Sequence, residues 1–157
     1  MLGSQLQLFQ QKPQPQPGHQ ISESQAKARR LRSELQSFCG TEGYHLFNIL
    51  FPDVVLTDGA KYLADEAGAY WLMDVIGSVL TTDRKRYIRA GFTTWTLQVT
   101  DGNHGTVTCD NGNGRVYYTQ EISYTDFPLD EITLYVGLSS GRSHDETIFV
   151  ILLPSEN

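Results

Sequence analysis

The sequence predicts an α+β fold: one long helix packed on an antiparallel β-meander of about five strands, with an N-terminal helix and a disordered tail. Apolar side chains recur every three or four positions across residues 58–80, as on the buried stripe of a helix. Beyond residue 93 they recur at every second position, as in strands with one buried face. At 157 residues, the chain has the length of a single domain.

The first 20 residues are rich in Gln and Pro, and they predict a disordered tail. Proline occupies every second position from residue 13 to residue 17, which favours an extended chain and offers nothing to bury. This opening lacks the basic and apolar regions of a secretory signal, and the longest apolar run, residues 148–153, is far too short to cross a bilayer. We therefore expect a cytoplasmic protein that does not enter a membrane.

Residues 21–38 predict a basic helix that is separate from the globular body. Ser22 and Gln25 have the spacing of a capping box, and good helix formers follow them. Residues 1–37 hold five basic and two acidic side chains, whereas the remaining 120 residues hold seven and sixteen. The outer face of this helix is either a solvated surface or a contact for nucleic-acid phosphates. Its cations are Lys27, Arg29, Arg30 and Arg32.

Residues 39–157 form the predicted globular domain, which opens with an irregular stretch. Gly and Pro interrupt short apolar pieces up to residue 56, as in loops with one brief strand or helical turn. The long helix then begins near Thr57 or Asp58, either of which can cap its free amides. Its second half, up to about residue 80, is apolar almost all round, so we expect its last turns to be buried.

The predicted meander begins with TTWTLQVT, in which Trp95, Leu97 and Val99 alternate with polar residues. The turn sequences DGNHG and NGNG separate this strand from the second and third strands. The fourth and fifth strands are predicted at residues 132–136 and 148–153. Because the fifth strand is apolar on both faces, we expect it to lie inside the sheet or beneath a covering segment.

Four blocks of the sequence resemble a family of uncharacterised bacterial domains that also occur on phages and plasmids. The blocks are TDGAKYLADEAGAYWLMDVI, TCDNGNG, YTDFPLDEITLY and VILLPSEN. The resemblance covers about residues 38–157, and it leaves the tail and the basic helix outside. It implies a bacterial source and a link to mobile elements. Because the family has no assigned activity, the resemblance implies no catalytic residue.

Several motif matches fail on their structural context. Residues 137–141 (GLSSG) fit the esterase nucleophile pattern, but they join two strands, whereas such an elbow joins a strand to a helix. Residues 101–105 and 110–114 lack the spacing of a calcium loop. The four histidines and two cysteines show no ligand spacing. We therefore predict no catalytic constellation, no metal and no cofactor.

Asp74 is the candidate acid/base residue, because it interrupts the apolar segment AYWLMDVI. A carboxylate in that place is expected to be partly buried, and burial raises the pKa of a carboxyl group. The residue is either a structural aspartate that accepts hydrogen bonds or the working group of a small enzyme. We favour the structural role, because no catalytic partner can be identified.

Two surfaces are candidates for binding. The sheet face turned away from the long helix is rich in hydroxyl groups and nearly free of charge, and exposed tyrosines are enriched where partners dock. Its predicted binding residues are Thr96, Tyr117, Thr119, Thr133 and Tyr135. The second surface is basic, and its candidate polyanion contacts are Arg84, Lys85, Arg86 and Arg89, together with Arg29, Arg30 and Arg32 of the N-terminal helix.

The sequence therefore predicts a non-enzymatic binding module, an accessory domain whose partner is another protein. The first alternative is a small enzyme that uses Asp74. The second alternative is a nucleic-acid-associated protein that uses the basic N-terminal helix. The acidic body would repel a nucleic-acid backbone unless a local basic patch overrides its field.

Overall fold

The computed structural model describes residues 22–157 apart from residues 142 and 144, so the predicted tail lies outside the described residues. Within this part of the chain there are four α-helices: α1 (Glu23–Gln36), α2 (Asp58–Ala67), α3 (Tyr70–Thr82) and α4 (Arg84–Ala90). A short 3-10 helix, Pro154–Glu156, follows the last strand. None of the described helices is both long enough and apolar enough to span a bilayer.

The described strands form one mixed sheet. They are β1 (His45–Leu46), β2 (Val54–Leu56), β3 (Thr93–Thr100), β4 (His104–Asp110), β5 (Val116–Ile122), β6 (Glu131–Ser140) and β7 (Thr147–Leu152). Their order across the sheet is β1-β2-β7-β6-β3-β4-β5. The β2 and β7 strands run parallel, and every other neighbouring pair is antiparallel.

The α+β class is confirmed, but the five-stranded meander is wrong. The predicted strands are present as β3 to β7, yet after β5 the chain crosses to the far side of β3 to form β6. Two further strands, β1 and β2, extend the sheet beyond β7. They have two and three residues, which is too short for an alternating pattern to show. The interior position predicted for the fifth strand is confirmed, because β7 lies between β2 and β6.

The prediction of one long helix over residues 58–80 is also wrong, because the chain breaks between α2 and α3. Gly68 adopts the left-handed conformation, with φ 59° and ψ 41°, and its amide donates to the Ala64 carbonyl. Glycine adopts this conformation without steric cost, so it commonly ends a helix. The apolar stripe continues across the break, which is why periodicity alone suggests one helix.

The helices pack on one face of the sheet around a single core. Leu31 and Leu35 of α1 are buried in it, so this helix is part of the body and not separate from it. The helix begins at the predicted capping box, in which Ser22 Oγ accepts from the Gln25 amide. The sheet contributes Trp95 and Leu97 with their neighbours on the same face, while the other face of β3 is half-buried or exposed.

Candidate functional site

A basic cleft of about 510 Å³ lies between α4 and the start of β5. It is lined by Asp83, Lys85, Arg86, Arg89, Ala90, Arg115 and Tyr117. Four of these side chains are cationic and one is anionic, so the lining carries a charge of +3 in a chain whose net charge is −6. A concave surface of one sign concentrates ligands of the opposite sign, so this cleft attracts anions locally.

The helix side of the basic cleft depends on a break in the chain at Asp83. Its φ of −126° and ψ of 52° are not helical, so α4 is a new helix after α3. Tyr87 anchors α4 to the core, since it is only 3% exposed. With Tyr87 turned inward, the solvent side of α4 carries Lys85, Arg86 and Arg89. Residues three and four apart are neighbours on a helix surface, which brings these cations together.

The strand side of the basic cleft depends on the turn between β4 and β5. The Asn111 side chain organises this turn: its Oδ1 accepts from the Asn113 amide at 2.8 Å and from the Arg115 amide at 3.1 Å. Gly112 and Gly114 have φ of 81° and 92°, which disfavour residues with a β-carbon. The turn thus places Arg115 at the entrance to β5, where its side chain lines the basic cleft.

A β-bulge places Tyr117 in the basic cleft. Cys109 pairs with Tyr118, but the next residue, Asp110, pairs with Val116, so Tyr117 is left as the extra residue on β5. Its ring contacts the Tyr87 ring edge-on, with 6.1 Å between the centroids. The prediction that Tyr117 lies on the outer sheet face is therefore wrong, because strict alternation does not hold across a bulge.

Two guanidinium groups flank the Tyr117 ring. The Arg86 Cζ atom is 5.0 Å from its centroid, and the Arg115 Cζ atom is 5.8 Å from it. Cations at this distance are attracted by the negative face of an aromatic ring, which holds both side chains over the cleft. Burial raises the pKa of the neighbouring Tyr87 from its ordinary value of 10.0 to about 12, so its hydroxyl group stays protonated even in mildly alkaline solution.

The comparisons with known proteins place the chain in one family. The model of the family of unknown function DUF6876 matches residues 29–157. The chain belongs to this family. The matched region begins within α1 and so includes most of the basic helix, whereas the resemblance noted in the sequence began only after this helix. The chain matches no curated protein and no solved structure.

Arg84 is not part of the basic cleft, although the sequence grouped it with the other cations of the run. Its Nη2 donates to the Thr147 carbonyl at 2.5 Å, and its Nη1 is 3.4 Å from Asp53 Oδ2. The guanidinium also lies over the Phe149 ring, 5.5 Å from the centroid. Arg84 therefore fastens α4 to β7 and to the loop before β2.

The α1 cations lie elsewhere on the molecule. Arg32 forms an ion pair with Asp130 at 2.6 Å. Arg30 lines a separate cavity of about 330 Å³, in which two cations face two glutamates, so the lining has no net charge. Arg29 is exposed on the same helix. None of these residues lines the basic cleft, so the structure does not join the two predicted cationic groups.

Asp74 is exposed, which contradicts the partly buried carboxylate that the sequence predicts. The Asn48 side-chain amide donates to Asp74 Oδ1 at 2.9 Å. The residue lies on the solvent side of α3, because the buried stripe of that helix runs through Leu72, Met73 and Ile76. A mostly buried helix still has a narrow face that contacts solvent, and a single polar residue within an apolar segment is expected on that face.

The outer face of the sheet holds the other four predicted binding residues. Thr133, Thr96 and Thr119 belong to one cross-strand row, which Thr108 completes. Tyr135 lies beside this row, opposite Thr94, and its ring packs on Phe92 with 5.0 Å between the centroids. The face is thus rich in hydroxyl groups as predicted, with an aromatic pair at one end.

A paired histidine and aspartate at the start of α2 were missed by the sequence reasoning. His45 Nε2 lies 2.7 Å from Asp58 Oδ1, and the Glu42 amide donates to Asp58 Oδ2 at 2.9 Å. The hydrogen bond with His45 and the one from Glu42 hold the pKa of Asp58 below its ordinary value of 3.8. The sequence carries no signal for this pair, because an irregular stretch separates the two residues. Within the described part of the chain, no three His, Cys, Asp or Glu side chains are grouped to hold a metal ion.

Proposed function

We propose that this chain is a binding module that takes up a multiply anionic, phosphate-type ligand in the basic cleft. The observation that carries the proposal is the convergence of four cations from two elements on one concave surface of an acidic protein. Helix α4 contributes three of them, and the turn before β5 contributes the fourth.

The availability of these cations supports the proposal. Among the described residues, no carboxylate lies within ion-pair distance of Lys85, Arg89 or Arg115. Arg86 has only a long contact with Asp83, at 3.9 Å. Several unpaired cations around one cavity repel one another, and an anion bound between them relieves this repulsion. A phosphate group presents several oxygens and satisfies such donors together.

Titration with inorganic polyphosphate of defined length tests the proposal. The triple variant Lys85→Gln, Arg89→Gln and Arg115→Gln should bind about thirtyfold more weakly than the wild type. Exposed ion pairs contribute about 0.2–1 kcal/mol each, so three of them contribute about 2 kcal/mol. Affinity for the wild type should also fall steeply as salt is raised.

A matched control separates a local site from overall charge. The triple variant Lys27→Gln, Arg29→Gln and Arg30→Gln removes the same charge from α1, and it should bind polyphosphate nearly as well as the wild type. Equal weakening in both triple variants would show that only net charge matters. Absence of binding by the wild type at low salt would remove the proposal altogether.

A second candidate function is protein binding through the outer sheet face. Phe92 is 41% exposed and its ring packs on Tyr135, and exposed aromatic residues are common anchors in protein interfaces. In a pull-down from a host extract, the wild type should capture a protein that the double variant Phe92→Ser and Tyr135→Ser does not capture. Once purified, this protein should bind the variant at least about thirtyfold more weakly than the wild type. Full affinity of a folded double variant would exclude this face.

A further inference from the structure

The basic cleft continues into a recess of different chemistry. This recess has a volume of about 300 Å³ and shares Asp83, Arg86 and Tyr117 with the cleft. The residues that line the recess but not the cleft are Ser78, Val79, Thr82, Tyr87 and Tyr118. The cleft is therefore mainly cationic, while the residues that line only the recess side bring hydroxyl, apolar and aromatic groups. A ligand that fills both needs an anionic part and a planar, uncharged part.

Asp83 is the feature that decides what the recess accepts. Asp83 lines both the recess and the cleft, and its carboxylate has only a long contact with Arg86, at 3.9 Å. A carboxylate repels further anions but accepts hydrogen bonds from N–H groups. An acidic peptide or a plain polyphosphate would place its own negative charge against Asp83 if it entered the recess. A neutral ring that carries amino groups would instead gain a hydrogen bond there.

We propose that the ligand of the basic cleft is a nucleoside phosphate, either free or as one unit of single-stranded nucleic acid. This inference rests on the proposed function and names its ligand. The phosphate lies among Lys85, Arg89 and Arg115, and the base enters the recess beside Tyr117 and Tyr118. Bases stack on tyrosine rings and on guanidinium planes, and the Arg86 and Tyr117 pair at the junction offers both surfaces. The combined volume is of the size that holds small ligands in proteins.

The experiment compares ligands with and without a base, by calorimetry in the absence of divalent cations. One arm compares adenosine 5′-triphosphate with inorganic tripolyphosphate. The other arm compares an eight-nucleotide single-stranded DNA with an abasic oligonucleotide of the same length. We expect the base to tighten binding at least tenfold in one or both arms. Tighter binding of adenosine 5′-triphosphate in the first arm would indicate that the ligand is a free nucleotide. Tighter binding of the base-bearing strand in the second arm would indicate that the ligand is a single-stranded nucleic acid.

Two variants of Ser78 test whether the recess causes this difference. Ser78 is exposed, and it lines the recess but not the basic cleft, so Ser78→Leu should narrow the recess and leave the cations and the core in place. It should abolish the advantage of the base-bearing ligands and leave tripolyphosphate binding unchanged. The control Ser78→Ala should keep the advantage.

The outcomes separate this inference from the proposed function. If tripolyphosphate and the abasic strand bind as tightly as their base-bearing counterparts, the inference is wrong while the anion site stands. An advantage that survives Ser78→Leu would also overturn the inference, because the base would then bind elsewhere. If none of the four ligands binds, both the inference and the proposed function fail.

Discussion

Replacing Glu156 by alanine should destabilise the fold, although this residue is almost 100 positions away from the helix that it contacts. The Glu156 carboxylate reaches the start of α2: Oε2 accepts from the Gly59 amide at 3.0 Å, and Oε1 accepts from Thr57 Oγ1 at 2.6 Å. Oε1 also accepts from the Leu153 amide at 2.9 Å. Gly59 is required for this approach, because a β-carbon there would lie 2.6 Å from Glu156 Oε1. The side chain therefore serves as an external cap for α2.

The magnitude follows from the donors that lose their acceptor. A hydrogen bond to a charged group contributes about 1.5–3 kcal/mol. Thr57 retains the Ile151 carbonyl at 3.3 Å, so two amides, those of Gly59 and Leu153, are left without partners in Glu156→Ala. At the low end of the range, appropriate for a half-buried side chain, the free energy of unfolding should fall by about 3 kcal/mol. Glu156→Gln keeps one carbonyl oxygen, and it should lose about half as much.

Equilibrium unfolding in urea measures this loss, with the buried Trp95 and the partly buried Trp71 as the fluorescent reporters. Glu131→Ala is the matched control, because it removes an exposed carboxylate from β6. Amide hydrogen exchange should also accelerate in the first turn of α2, and at no other helix start. A Glu156→Ala protein within 0.5 kcal/mol of the wild type would refute the reasoning, since the cap would then contribute nothing measurable.

Two further predictions concern titratable groups. Burial raises the pKa of the Cys109 thiol to about 12. A thiol reagent at pH 8 should therefore modify only the exposed Cys39 in the native protein, and it should modify both cysteines in urea. Rapid modification of both thiols in the native protein would contradict this prediction. The hydrogen bond with His45 lowers the pKa of Asp58 in the folded protein. The ionised Asp58 side chain therefore stabilises the folded state fully above pH 3.8, the pKa in the unfolded chain, and this contribution is lost as the pH falls through the lower pKa of the folded state. Asp58→Asn should therefore flatten the acid dependence of the urea midpoint below about pH 4, and an unchanged acid slope would exclude the effect.

The sequence indicated part of the basic cleft but not its composition. The charged run of residues 83–89 was a candidate polyanion contact, and α4 does present Lys85, Arg86 and Arg89 to solvent. Arg84 belongs to the same run, yet it is occupied by contacts with β7 and the loop before β2. Which cation of a run turns to solvent depends on neighbours that are distant in sequence, and local charge patterning contains no information about them.

The sequence did not place Arg115 and Tyr117 in the basic cleft, for a different reason. Alternation assigns Tyr117 to the outer face, and it would do so in any regular strand. The bulge opposite Cys109 reverses that assignment and brings the ring against α4. A bulge depends on the pairing of two strands, so it follows from the register of β4 with β5 and not from either strand alone.

What the sequence by itself determined is the local structure: the α+β class, the capping box of α1, the turns between β3, β4 and β5, and the polar outer face of the sheet. These features depend on spacing and on residue types within a few positions of one another. Only the tertiary structure decided the rest: the parallel pairing of β2 with β7, the crossing of the chain to β6, the Glu156 cap and the assembly of the basic cleft. Each of these joins segments tens of residues apart, and such contacts form because the whole core is buried at once, which no short window of the sequence records.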